Sequence, residues 1–130
     1  MPRSPVKPKS PERRRAERAG HRGEFWAALF LMAQLYRIRA RRVKTPVGEI
    51  DLIAERFGTT VFVEVKARGF SSDEAGALLA VDRRRIVRAA QYYVAMRPTL
   101  AATPLRFDVI FIAPFALPRH LKAAFDTTGI

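Results

Sequence analysis

Apolar and polar positions change rhythm several times along this chain of 130 residues. From Glu12 to Tyr36 there is no proline, and after Gly23 the stretch FWAALFLMA is apolar all round. The pattern predicts one long helix buried on most sides, with Trp26 in the core rather than serving as a stacking platform. In YRIRARRVKT, Ile38 and Ala40 recur at the two-residue period with Arg between them, and Pro46 and Gly48 mark a turn, which predicts a strand with one basic face. GEIDLIAE (48–55) predicts a second strand, a turn follows at Gly58, and TVFVEVKAR (60–68) completes a three-stranded meander. GFSSDEAG reads as loop. From Val81 to Met96, residues Ile86, Ala89, Ala90, Tyr93 and Val94 recur at helical spacing and predict a second, amphipathic helix. RPTLAATP is a loop, LRFDVIFIA (105–113) a buried strand, and PRHLKAAF a last short helix. The expected fold is α/β in the order α-β-β-β-α-β, with no internal repeat. Pro2, Pro5, Pro8 and Pro11 interrupt any helix in a segment with almost nothing apolar to bury, so residues 1–11 are expected to be a disordered basic arm and 12–130 a single domain.

Composition changes the picture in two ways. Lys and Arg number 24 against 12 Asp and Glu, a formal +12 with pI near 11.3, while 48% of residues are hydrophobic. A small domain that can fold and carries this excess takes nucleic acid as its leading partner class. The absence of cysteine excludes a disulfide scaffold, a Cys-ligated zinc and a thiol nucleophile, so hydrolysis would rest on carboxylates, Lys, His or a hard metal. The longest apolar run, Phe25 to Ala33, falls well short of the roughly 20 residues that span a bilayer, and no signal-peptide pattern opens the chain. The expectation is a cytoplasmic protein with no membrane partner.

The informative feature is charge set inside apolar strands. In VFVEVKA, alternation puts Phe62, Glu64 and Lys66 on one face and Val61, Val63 and Val65 on the other. Glu49 and Asp51 likewise share a face, and a hairpin turning near Gly58 brings their strand alongside Glu64. Burying unpaired charge costs several kcal/mol, so the cluster needs solvent, ion-pair partners or a metal. Two carboxylates with an open coordination sphere suit Mg²⁺ or Mn²⁺, as Mg²⁺ keeps waters and takes few protein ligands. An E-x-K strand alone is equally an ordinary solvated sheet face with a cross-strand pair.

The strings GxxGE at Gly20, Gly23 and Glu24, then TPVGEIDLIA, VFVEVKAR and RFDVIFIA, resemble the YraN-like family of predicted endonucleases in the PD-(D/E)xK restriction-endonuclease-like superfamily. The likeness runs from about Arg13 to Phe125. It implies a restriction-endonuclease-like core, a mixed sheet flanked by helices with the metal site at its exposed end, similar to archaeal Holliday-junction resolvases. On that resemblance Asp51 and Glu64 are metal ligands, Lys66 is the catalytic lysine, and Glu24 is the helix-borne acid that completes the ligand set. Glu49 belongs to the GEID string without an assigned role. Ile50 replaces the proline of the superfamily's name, and Leu35 stands where many family members carry a helix-ending Gly.

Arg68 and the cluster Arg83, Arg84, Arg85 and Arg88 grip phosphates or form a solvated face. His21 and His120 read as surface residues, and Asp108 either lines the site or pairs with Arg106. The combined expectation is a Mg²⁺- or Mn²⁺-dependent endonuclease acting on branched or structured DNA, with a homodimer compatible with it. Its rival is a nucleic-acid-binding protein that keeps the fold without cutting, and an RNA- or ribosome-associated role rests on charge alone.

Overall fold

A computed structural model describes residues 10–67, 82–113 and 115–125, with the side chains of 13–21 and of residue 67 outside the description. Helix α1 (Pro11–Ala33) is followed by β1 (Arg37–Thr45), β2 (Gly48–Arg56), β3 (Thr59–Ala67), α2 (Arg83–Ala95), the single turn α3 (Pro98–Ala101), β4 (Leu105–Ile112) and β5 (Arg119–Phe125). The strands form one mixed sheet in sequence order, with β1–β2, β2–β3 and β4–β5 antiparallel and β3–β4 parallel. The expected α/β architecture is therefore present, a sheet between two helices. Residues 1–9 of the expected arm, the loop 69–76 and Arg68 lie outside the described residues. Pro11 already opens α1, at the end of a helix where its missing N–H costs nothing.

Alternation along the strands builds two cores. Ile53, Phe62, Phe107 and Val109 pack with Ile86, Val87, Ala90 and Tyr93 of α2. Val61, Val63, Leu52 and Ile110 pack with Ala27, Ala28 and Leu31 of α1 on the other face. The α2 stripe matches the expected periodicity, and Asp82 caps it by accepting from the Arg85 N–H at 3.1 Å. The β2–β3 connection is tight: Phe57 and Gly58 both hold positive φ, 52° and 82°, the geometry of a two-residue turn between twisted strands.

Four local expectations are corrected. Helix α1 stops at Ala33 rather than Tyr36, because Leu35 adopts φ 69°, the Tyr36 N–H bonds the Leu31 carbonyl and the Leu35 N–H bonds that of Met32. This is a left-handed helix stop with leucine where glycine is usual. Trp26 is not in the core: it is 55% exposed, and Phe25, Leu29 and Met32 point outward with it. A helix lying on one sheet face buries a single stripe, so a nine-residue apolar run offers more than the contact can take. Residues 98–101 form a helical turn inside the expected loop. Most consequentially, PRHLKAAF is a strand rather than a helix. Leu, Lys and Ala favour helix locally, but β5 closes the free edge of β4, and a register shift at Phe107/Val109 leaves room for the positive-φ Ala123.

Candidate functional site

Strand β2 loses its two-residue alternation at Asp51: Ile50 packs into the α2-side core and Leu52 into the α1-side core. The β2–β3 ladder runs from Arg56 opposite Thr59 to Leu52 opposite Val63. One step further, Asp51 Oδ2 accepts a hydrogen bond from the Val65 N–H at 2.8 Å. A carboxylate thus ties the strands together just beyond their last paired residues. Glu64 stands beside it within hydrogen-bonding reach, and Glu64 Oε1 lies 3.5 Å from Lys66 Nζ, the same-face pair that alternation predicts.

Burial makes these acids hard to ionise. Desolvation and the neighbouring Asp51 charge push Glu64 up to about 8, against the opposing pull of Lys66. Asp51 is also raised, chiefly by desolvation, although the Val65 N–H and Glu64 favour its ionised form. The contact between them favours a proton on Glu64 over one on Asp51. Glu24, carried by α1 to the same neighbourhood, is pushed up to about 7 by burial and by Asp51. Arg42 Nε lies 3.3 Å from Glu24 Oε2 without making a hydrogen bond, and this buried oxygen has no hydrogen-bond partner. Asp51 therefore raises the affinity of both Glu24 and Glu64 for protons, and all three acids are raised by burial, which is a condition under which a divalent cation gains from replacing those protons.

The structure brings together Asp51, Glu64 and Lys66 directly, with Glu24 beside them through the field it shares with Asp51. Glu49 is exposed and acts on Glu24 and Asp51 only through its charge. Among the described residues, no group of three or more His, Asp and Glu is arranged to enclose a metal ion on its own. The donor set fits a hard cation that uses one or two protein carboxylates and fills its remaining positions with water, rather than an all-protein cage. Arg83, Arg84, Arg85 and Arg88 are exposed at the start of α2. A Cβ added to Gly48 would come within 2.9 Å of Arg85 Cγ, so Arg85 lies against the first residue of β2, three positions from Asp51.

Arg42 escaped the sequence reading because its neighbours look alike; it stands apart only by its φ of 48°, which turns it toward Glu24. The other surprise lies on β4. Asp108 does not line the site but pairs with Arg106, through two hydrogen bonds of 2.8 Å. It also bonds His120 Nε2 at 2.6 Å and the Ala123 N–H at 2.9 Å, while Arg106 Nη2 donates to the Tyr36 hydroxyl at 2.7 Å. Burial alone would raise Asp108, but the His120 and Arg106 hydrogen bonds outweigh it and hold the carboxyl below its ordinary range. His120 is therefore no surface residue: its side chain is 5% exposed, under the rings of Phe30 and Tyr36. His21 lies in α1 with its side chain outside the description.

Residues 23–112 match the uncharacterised protein family UPF0102. A UPF0102 protein of Rhodopseudomonas palustris strain BisB5 is 49% identical over 126 residues, covering 97% of this chain and 96% of its own length. Another, from Bradyrhizobium sp. strain ORS 278, is 50% identical over 124 residues, covering 95% and 88%. The matched span begins one residue before Glu24 and ends with β4, so it contains Asp51, Glu64 and Lys66 as well, and the chain belongs to UPF0102, the YraN-like family to which its motifs pointed.

Proposed function

We propose that this protein is a Mg²⁺- or Mn²⁺-dependent endonuclease of the PD-(D/E)xK type that hydrolyses phosphodiester bonds in branched or otherwise structured DNA in the cytoplasm. The observation that carries the reading is Asp51, tied to the Val65 N–H just past the last β2–β3 rung, with Glu64 within its reach and Lys66 3.5 Å from Glu64. Asp51 and Glu64 would hold the ion. Glu24 would stand behind them as an outer acid, its buried free oxygen available to a coordinated water. When bound, such an ion supplies a water of lowered pKa and neutralises charge on the phosphate. Lys66 would do something different: its ammonium, 3.5 Å from Glu64 Oε1, would meet negative charge that builds on the phosphate oxygens only as the bond breaks. Because Glu64 and Glu24 are held toward their protonated forms, occupancy of the site by a cation would depend on pH. The net charge of +12 and the exposed arginines at the start of α2 bring the polyanion to this end of the sheet.

A second reading, a DNA-binding protein that keeps the fold without cutting, draws on the Glu64–Lys66 pair and on the lack of a three-carboxylate cage among the described residues. Nicking of a labelled four-way junction, a flap and a plain duplex with Mg²⁺ or Mn²⁺ separates the two. The nuclease reading expects Lys66→Ala to bind DNA and metal like the wild type and to lose cutting, and Glu64→Ala to lose metal and cutting together. A wild type that binds every substrate and cuts none selects the second reading.

A further inference from the structure

Among the described residues strand β1 is the edge of the sheet, hydrogen-bonded on one side only, and its nine residues RIRARRVKT hold Arg37, Arg39, Arg41, Arg42 and Lys44 without an acid. Edge strands commonly carry charge to discourage pairing with other strands, but here three of the cations, Arg37, Arg39 and Lys44, border a trough. Two adjoining grooves, of about 560 and 440 Å³, run between β1 and the end of α2 and share Tyr93 and Arg97 as walls. Arg37 and Arg39 flank the first and Lys44 the second, and among the described residues no acid lines either. Arg97 is held in place: its guanidinium stacks 3.8 Å from the centre of the Tyr93 ring and donates to the Tyr93 carbonyl at 3.4 Å. Arg39 is compensated by Glu55 at 3.4 Å, whereas Arg37 and Lys44 have no ion-pair partner among the described residues.

The trough has a direction. Lys44 lies opposite Glu49 at the end of the sheet that carries Asp51, and Arg37 lies opposite Glu55 at the far end. Seven residues of strand cover roughly 23 Å at about 3.3 Å each, which matches about seven base pairs of duplex at about 3.4 Å each along one strand. We propose that the β1–α2 trough seats the phosphate backbone of one duplex arm of DNA, with Lys44 near the carboxylates and Arg37 and Arg97 as the far grip. The inference rests on the nuclease reading only for the place where the arm begins. The contacts are to phosphate, so binding is independent of base sequence and strongly dependent on salt.

The test uses the full chain without metal, so that it does not depend on cutting. A labelled 20-base-pair duplex is titrated by fluorescence anisotropy across a salt series with wild type, Arg37→Gln, Arg37→Gln/Arg97→Gln, and the charge-matched Arg22→Gln/Lys122→Gln. Each phosphate contact removed should lower the steepness of log K against log salt by about 0.9, so the trough double variant should bind at least tenfold more weakly and lose about two units of slope. Arg37→Gln alone, at a side chain without an ion-pair partner, should lose about one unit with an unchanged melting temperature. Shortening the duplex below about seven base pairs should erase the difference between wild type and the trough variants. Equal losses in the trough and charge-matched double variants would overturn the proposal, because net charge alone would then explain binding. A difference that persists on short duplexes would overturn the far-grip geometry, and tighter binding of duplex RNA with the same variant pattern would overturn the assignment to DNA.

Discussion

Two buried carboxylate sites lie on adjoining parallel strands of one sheet, and their surroundings differ in kind. Asp108 on β4, fully buried, receives four hydrogen bonds, two from Arg106 and one each from His120 and the Ala123 N–H. Its acidity increases, and the network joins β5 to β4 and, through Arg106, to Tyr36 at the foot of α1. Glu64 on β3, paired with Val109 one step along, has Asp51 beside it and a lysine at 3.5 Å, and burial and the Asp51 charge push it up to about 8. One site has as many donors as a carboxylate can use, whereas the other has acids in excess of donors. A carboxylate with a full set of donors is a joint; a group of carboxylates short of donors is a place where a cation would be welcome. Perturbed acidity alone does not tell function from structure, since both sites are perturbed, but the direction of the shift together with the count of donors does.

The largest expected effect is at the joint. Asp108→Asn leaves the half-buried Arg106 against a neutral amide whose single oxygen can serve His120 or the Ala123 N–H but not both, so urea unfolding should show a loss of about 3–5 kcal/mol. A loss below about 1 kcal/mol would mean that the network is not what holds β5. At the other site the sign reverses. Acids held protonated above their ordinary 4.5 bind more protons folded than unfolded, so the stability they confer is fully present below about that pH and drains away as pH rises toward 7 and 8. Glu64→Gln should therefore stabilise the protein by roughly 1–2 kcal/mol at pH 8 and by almost nothing at pH 4, since the amide donates to Asp51 as the protonated acid does. Thermal melts across that range check it; a variant that is less stable than wild type at pH 8 would show that the Lys66 pair outweighs the repulsion. Asp108 contributes in the opposite sense, with stability present above its ordinary 3.8 and lost as pH falls through its lowered folded value. The smallest effect belongs to Glu24→Gln: an unpartnered oxygen is relieved while Arg42 loses its counter-charge, and the net change should be a gain under about 1 kcal/mol, confined to pH above 5. A large loss there would make Glu24–Arg42 a second structural joint.

Much of the acid-rich site was legible in the chain because its signal is local. Alternation in VFVEVKA fixes the face that Glu64 and Lys66 share, and the glycine turn at Gly58 fixes the hairpin that brings Asp51 across. What stayed hidden depends on partners distant in sequence. Strand β5 is written in helix formers, and only the pairing with β4 and the buried acceptor Asp108, reached by His120 and Ala123, makes it a strand. Trp26 looks like core because composition cannot say which stripe of α1 meets the sheet. Arg42 differs from Arg41 by a backbone angle that no neighbouring residue announces. Leu35 shows the converse: glycine is expected where a helix turns left-handed, and here leucine takes that position at φ 69°.

Uptake of a divalent cation by the acids short of donors is measured most directly by a Mg²⁺ titration of thermal stability at pH 8, wild type against Glu64→Gln and Lys66→Ala. An ion bound only by the folded protein adds about 1.4 kcal/mol for each tenfold rise in concentration beyond its Kd. The melting temperature of wild type and Lys66→Ala should climb with Mg²⁺, and that of Glu64→Gln should stay flat. A flat wild type, or a Glu64→Gln protein that climbs in parallel with it, would contradict the assignment of Asp51 and Glu64 as the cation's ligands.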